Sequence, residues 1–157
     1  MSLVERLNTL PARKLEHREG ASASEIAEIE SVTGFTLPVD LRETLQWSNG
    51  IEIKSAKTGF WMANANDLAY TSSEPHFDED LPGMLILGGD NGGAVFYADP
   101  NNRIGRGAWA IYFVHMSEAG IPHSRFVGAS FTEAIETLLA ETDIYKRPEL
   151  GDSSTAP

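Results

Sequence analysis

The sequence predicts an α+β fold: a mostly antiparallel sheet of about five or six strands, flanked by N-terminal helices and a C-terminal helix. Two observations predict it. Helical spacing of apolar residues dominates the first fifty residues and returns from Ser130, while short strand-like runs fill the middle. Those runs follow one another without the long helical crossovers that parallel pairing needs, so neighbours pair antiparallel. The 157 residues are 41% hydrophobic and 22% charged, which suits one domain with a core independent of disulfides and metals.

The elements follow in order. Ser2 with Glu5 makes a capping box that opens a short helix carrying Leu3, Val4, Leu7 and Leu10, and Pro11 ends it. Residues 12–20 are highly charged and allow either a helix or a loop. Ser22 with Glu25 is a second capping box. The helix behind it places Ile26, Ile29 and Thr33 on one side with Val32 beside them, and Gly34 suits a left-handed stop. Phe35 and Leu37 then face inward. Pro38 suits the first turn of a third helix, along which Leu37, Leu41 and Leu45 recur every four residues up to Trp47. Asn49-Gly50 ends it. "IEI" and "GFWMA" read as short strands, and Asn64 to Asp80 as polar and irregular with a helical turn over Asp67–Tyr70. "MLILG", "AVFYAD", "AWAIYFVHM" and "SRFVGA" read as strands. Ser130 and Glu133 form a third capping box, opening a helix with Phe131, Ile135, Leu138 and Leu139 on the core side. One domain spans 1–145, and 146–157 reads as a disordered tail.

The chemical motifs fail one by one. "GGDNGG" around Asp90 lacks the lysine and the following helix of a phosphate loop, and its glycines miss the dinucleotide spacing. The stretch is instead a hairpin turn with Asn91-Gly92 at its tip. "DPNNRIG" places Arg103, Ile104 and Ala110 where a calcium loop needs an oxygen ligand, a glycine and a glutamate. His76 beside Asp78, Glu79 and Asp80 has no second histidine at metal-site spacing. With no cysteine and no nucleophile elbow, the sequence assigns no catalytic residue, no metal and no cofactor. The N-terminus has no apolar signal segment, and no run is long enough to span a membrane.

Charge is the distinctive property. The net charge is -11, and residues 21–90 hold twelve acids against three bases. Such a surface repels nucleic acid and attracts a basic partner. The candidate contacts are Glu52, Glu74, Asp78, Glu79, Asp80 and Asp90 with Trp61. A different class of function, a small-molecule or regulatory module, would use the aromatics Phe60, Trp61, Tyr70 and Phe77.

Three stretches together resemble the SUKH superfamily, which holds a fungal cell-wall-synthesis regulator and many bacterial immunity proteins. "ASASEIAEIESVTGFTLPVDLRETLQWSNGIEI" carries its leading signature, with Glu28, Leu37, Pro38, Asn49 and Gly50 in place. "LILGGDNGGAVFYAD", with Gly92 and Gly93, looks like the central hairpin, and "RFVGASFTEAIETLL" like the strand-helix ending. The resemblance covers Ala21 to Glu141. It implies a non-catalytic, cytoplasmic protein that binds and neutralises a cognate toxin domain, often a nuclease. It carries over no catalytic residues, and the signature positions set the fold.

Overall fold

A computed structural model of the chain describes residues 1–118 and 120–152. Seven strands form one antiparallel sheet in sequence order: β1 (Leu15–His17), β2 (Ile51–Ile53), β3 (Phe60–Met62), β4 (Leu85–Gly89), β5 (Ala94–Asp99), β6 (Ala110–His115) and β7 (Arg125–Gly128). Among the described residues, six α-helices accompany it: α1 (Leu3–Asn8), α2 (Ala23–Thr33), α3 (Val39–Trp47), α4 (Ala65–Tyr70), α5 (Pro75–Asp80) and α6 (Phe131–Leu139). The fold is α+β as expected, with a strand more than expected.

The extra strand lies in the charged stretch 12–20. Only Leu15 of β1 is buried, so three residues show no alternation that a sequence pattern could reveal. The pairing with β2 holds it, with Glu16 opposite Glu52 and an ion pair from Glu16 to Lys54 at 2.6 Å.

The capping residues act as the sequence implies. Ser2 and Ser22 each close reciprocal bonds with the glutamate three residues on, and Ser130 accepts from the Glu133 N–H. Gly34 ends α2 with φ 77°. Pro38 sits one place earlier than expected, as the N-cap of α3. Val32 is exposed, and Phe35 is only half-buried against the core. The segment expected to be irregular folds as two short helices. Asn64 caps α4 by accepting from the Asp67 N–H at 2.9 Å, and Pro75 occupies the first turn of α5.

Two apolar clusters sandwich the sheet. The larger joins α1, α2, α3, α4 and α6 to one sheet face, through Leu7, Ile29, Leu41, Leu45, Leu68 and Ile135 against Ile53, Phe60, Phe96 and Phe113. Asp40 of α3 locks α6 in place by accepting from both the Thr132 N–H and its hydroxyl at 2.9 and 2.8 Å. The smaller cluster covers the other face, but only over β4 to β7: Phe77 and Leu81 of the α5 region pack with Met84, Ile86, Tyr97, Tyr112 and Val114. Burial pushes the Tyr112 phenol up to about 12, with the nearby Asp99 charge adding to it.

Part of the segment expected as a tail is held by contacts. Arg147 donates to the Phe126 and Val127 carbonyls, Glu149 bridges to Arg125, and the Leu150 N–H donates to the Ser124 carbonyl. These backbone partners are far away in sequence, so polar composition does not announce them. Residues 153–157 of the expected tail lie outside the described residues.

Candidate functional site

The site starts from register. In an antiparallel sheet, directly paired residues share a face. Glu16 pairs with Glu52, Glu52 with Trp61, Trp61 with Gly89, Gly89 with Val95 and Val95 with Val114. One row of side chains thus crosses six strands. At the Val114 end it is buried under the second cluster. From Trp61 outward nothing in that cluster covers it, and Trp61 stands 38% exposed.

The glycines of "LILGG" make this possible. A Cβ on Gly88 would lie 1.8 Å from the Trp61 carbonyl oxygen, so β3 and β4 can approach only because that position is bare. A Cβ on Gly89 would meet the indole at 3.0 Å, so Trp61 lies directly over Gly89. The phosphate-loop appearance of this stretch reflects a close strand seam under an exposed tryptophan.

The turn beyond it also has a structural account. Asn91 and Gly93 adopt positive φ, 65° and 91°, whereas the expected primed turn needs it at Asn91 and Gly92. The Asp90 carboxylate shapes the loop by accepting from the Gly92 and Ala94 N–H groups at 2.8 and 3.1 Å, and the Tyr145 hydroxyl donates to its other oxygen at 3.2 Å. His115 completes the clamp, its Nε2 lying 2.9 Å from the Gly92 carbonyl. Asp90 is thus held inside the turn, half-buried, rather than projecting from it.

The candidate contacts separate into two groups. Glu52 and Trp61 line one cavity of about 340 Å³ with Glu16, Arg18, Asn64, Asp67 and Asn91. Glu74, Asp78, Glu79 and Asp80 belong to α5 and its N-cap and do not line it. Glu74, Asp78 and Glu79 are exposed and Asp80 half-buried. They form a helical surface, since Phe77 turns the opposite side of α5 into the second cluster. The aromatics weighed for a small ligand do not share a wall: Phe60 is buried in the larger cluster and Phe77 in the smaller, on opposite sheet faces.

The signature positions sit at joints. Leu37 is buried, and its N–H donates to Glu30 at 2.7 Å. Asn49 accepts from the Ala65 N–H at 2.7 Å, fixing the start of α4. Gly50 has φ 104° and passes so near the Met62 carbonyl that a Cβ would lie 2.9 Å from it. Glu28 accepts from the Tyr70 hydroxyl at 2.9 Å, joining α2 to α4, and that bond, with the Glu28 charge behind it, holds the phenol above its usual range.

Sequence reasoning missed Glu16, Arg18, Asp67 and Glu141. The first three enter the site through β1, the residue after it and α4, which the sequence left unassigned or only partly assigned. Glu141 follows α6 with φ 59° and accepts from Ser55, the Ala56 N–H and Lys14. These donors lower its carboxyl to about 2, the Ser55 hydroxyl contributing most. Nothing in the sequence marks this role, because the partners are 85 and more residues away.

Among the described residues, Glu118, His123 and Glu149 bring metal-capable atoms within 4.8 Å of one another. His123 Nδ1 already lies 2.8 Å from Glu149, whose other oxygen is 3.7 Å from Arg125, so the group fastens the C-terminal segment to β7. Among the described residues no such group includes His76, which packs on Phe77 at 4.1 Å. Among the described residues no helix is long and apolar enough to cross a membrane.

These features define a class: a single-sheet α+β domain with most helices on one face and an acidic, indole-bearing surface on part of the other. The chain belongs to the SMI1/KNR4 family (SUKH-1), whose model matches residues 20–137. The resemblance read over Ala21 to Glu141 is thus borne out as far as residue 137. Membership of this family is consistent with an immunity-protein-like domain. Among curated proteins, none matches the sequence.

Proposed function

We propose that the chain is a non-catalytic interaction domain, an immunity protein that binds and neutralises a basic toxin in the cytoplasm. The observation that carries this reading is the acidic surface on a family fold. The uncovered sheet face displays Glu16, Glu52 and Trp61, and α5 adds Glu74, Asp78 and Glu79. A toxin that acts on nucleic acid must present positive charge to it, and an acidic inhibitor competes for that surface. Long-range attraction speeds the encounter and weakens as salt rises.

The experiment is co-expression with the product of the neighbouring gene, followed by co-purification and a growth assay. The expected result is a complex that suppresses toxicity, with an association rate that falls with salt. A neighbour that is not toxic, or a complex whose association rate is indifferent to salt, overturns the reading. Reversal of Asp78, Glu79 and Asp80 to lysine then separates α5 from the sheet face: slowed association assigns α5 to the contact, and an unchanged rate removes it.

A further inference from the structure

We infer that the uncovered half of the sheet seats one arginine side chain of the partner on the Trp61 indole, flanked by Glu52 and Asp67. This rests on the basic-partner reading above and names the anchor within it. Three observations lead there. The cross-strand row leaves its buried part at Trp61, so the indole is the last large apolar group before solvent. The cavity at that edge is lined by Glu16, Glu52 and Asp67 together with Arg18. Glu16 is already paired with Lys54, whereas Glu52 and Asp67 make no side-chain hydrogen bond or ion pair among the described residues. The cavity wall therefore holds, among the described residues, two unpaired carboxylates and one guanidinium beside an exposed ring, and the excess charge is negative.

Arginine fits this combination better than lysine. Its guanidinium is planar and weakly hydrated, so it stacks on an indole while its edge donates to a carboxylate. Lysine's ammonium is a compact, strongly hydrated charge and cannot do both. Tryptophan and arginine are also the residues that most often dominate interface energy. A second copy of this chain is a poor occupant. A two-fold interface would place the same acidic patch against itself, which like charges oppose.

The test follows the Trp61 indole N–H signal by NMR while a capped Gly-Arg-Gly peptide is added at low salt, with lysine and citrulline versions as controls. The arginine peptide is expected to shift Trp61 saturably, the lysine peptide more weakly and the neutral citrulline peptide not at all. Glu52→Gln, which leaves the indole in place, is expected to weaken the arginine peptide roughly three-fold, and Arg18→Gln to tighten it about two-fold by removing a like charge. Asn or Gln at Asp78, Glu79 and Asp80 is expected to change nothing.

Equal shifts from arginine and citrulline overturn the anchor, as do shifts confined to α5. A Trp61 shift on concentrating the protein alone points to a second copy and overturns it too. A toxin complex indifferent to Trp61→Ala, in a variant that keeps its dispersed spectrum, also removes the anchor while leaving the basic-partner reading intact. A non-toxic neighbour removes that reading while leaving the peptide result in place.

Discussion

Strands β4 to β7 are covered on both faces, whereas β1 to β3 are covered on one. The difference is written in their residues. "LILGG" is buried at every position, and "AVFYAD" and "AIYFVH" at all but one. "IEI" and "FWM" alternate, with Glu52 and Trp61 turned outward between buried neighbours. A strand that packs on two sides holds a charge only where local donors meet it, as at Asp99, which ends β5 and accepts from the Arg103 and Ile104 N–H groups, and a strand that packs on one side must meet water with the other. The doubly covered half is thus the stable body of the domain. The singly covered half completes the larger core with one face and turns Glu16, Glu52 and Trp61 toward solvent with the other.

Substitutions that separate these roles test the comparison, and the largest effect belongs to the doubly covered half. Phe113 is fully buried in β6 and packs on Phe96 at 4.8 Å and Tyr145 at 4.9 Å. Phe113→Ala is expected to cost about 3–5 kcal/mol, read as a lower urea midpoint at unchanged slope. A loss below 1 kcal/mol would mean that this half is not the stable body.

Next comes the seam between the halves. Gly88→Ala pushes a methyl into the Trp61 carbonyl, an atom of the backbone that cannot swing aside. The expected cost is about 2–3 kcal/mol, with amide exchange accelerated in β1 to β3 more than in β5 and β6. Uniform acceleration would show that the two halves open as one unit.

A third substitution acts in the opposite direction. The Tyr112 hydroxyl is buried without a hydrogen-bond partner among the described residues. Tyr112→Phe removes that unsatisfied group and is expected to stabilise the fold by roughly 1 kcal/mol. Tyr97 is the control: its hydroxyl donates to Ser124 at 2.7 Å, so Tyr97→Phe is expected to destabilise. The same sign for both variants would refute this account of the smaller cluster.

On the singly covered half, Trp61→Ala is expected to cost under about 1 kcal/mol despite removing the largest side chain. A cost approaching that of Phe113→Ala would make Trp61 a core residue and erase the distinction between the halves.

The last effect depends on pH and belongs to Glu141, which ties Lys14 and the β2–β3 connection to the end of α6. Its folded value of about 2 lies below the usual 4.5. The stability it contributes is therefore present above pH 4.5 and lost as pH falls toward 2. Amide protection in β1 to β3 is expected to fall across that window, and Glu141→Gln to remove the dependence. An unchanged acid profile in the variant would show that Glu141 does not hold this half.

Much of the fold was legible because the signals are local. A capping serine needs only the residue three places on, as at Ser22 and Glu25, and a doubly buried strand needs only its own apolar run. β1 was not legible, because one leucine among charges carries no period. α5 read as an irregular acidic segment because its single buried face residue, Phe77, is outnumbered by exposed carboxylates. Half of the site was legible too. Glu52 and Trp61 were marked by charge and aromaticity, but Arg18 and Asp67, which share their cavity, were not.

By itself the sequence determined the fold class, the order and ends of most helices, the central hairpin and the strongly acidic surface. Each depends on neighbours along the chain or on composition. The tertiary structure alone decided which segments cover β4 to β7 on their second face. It also decided that Glu16, Glu52 and Trp61 stand in one row and that Asp90 turns into its own loop. Those outcomes depend on register and on which helix covers which strand. Both are set by packing between segments tens of residues apart, and no local pattern encodes them.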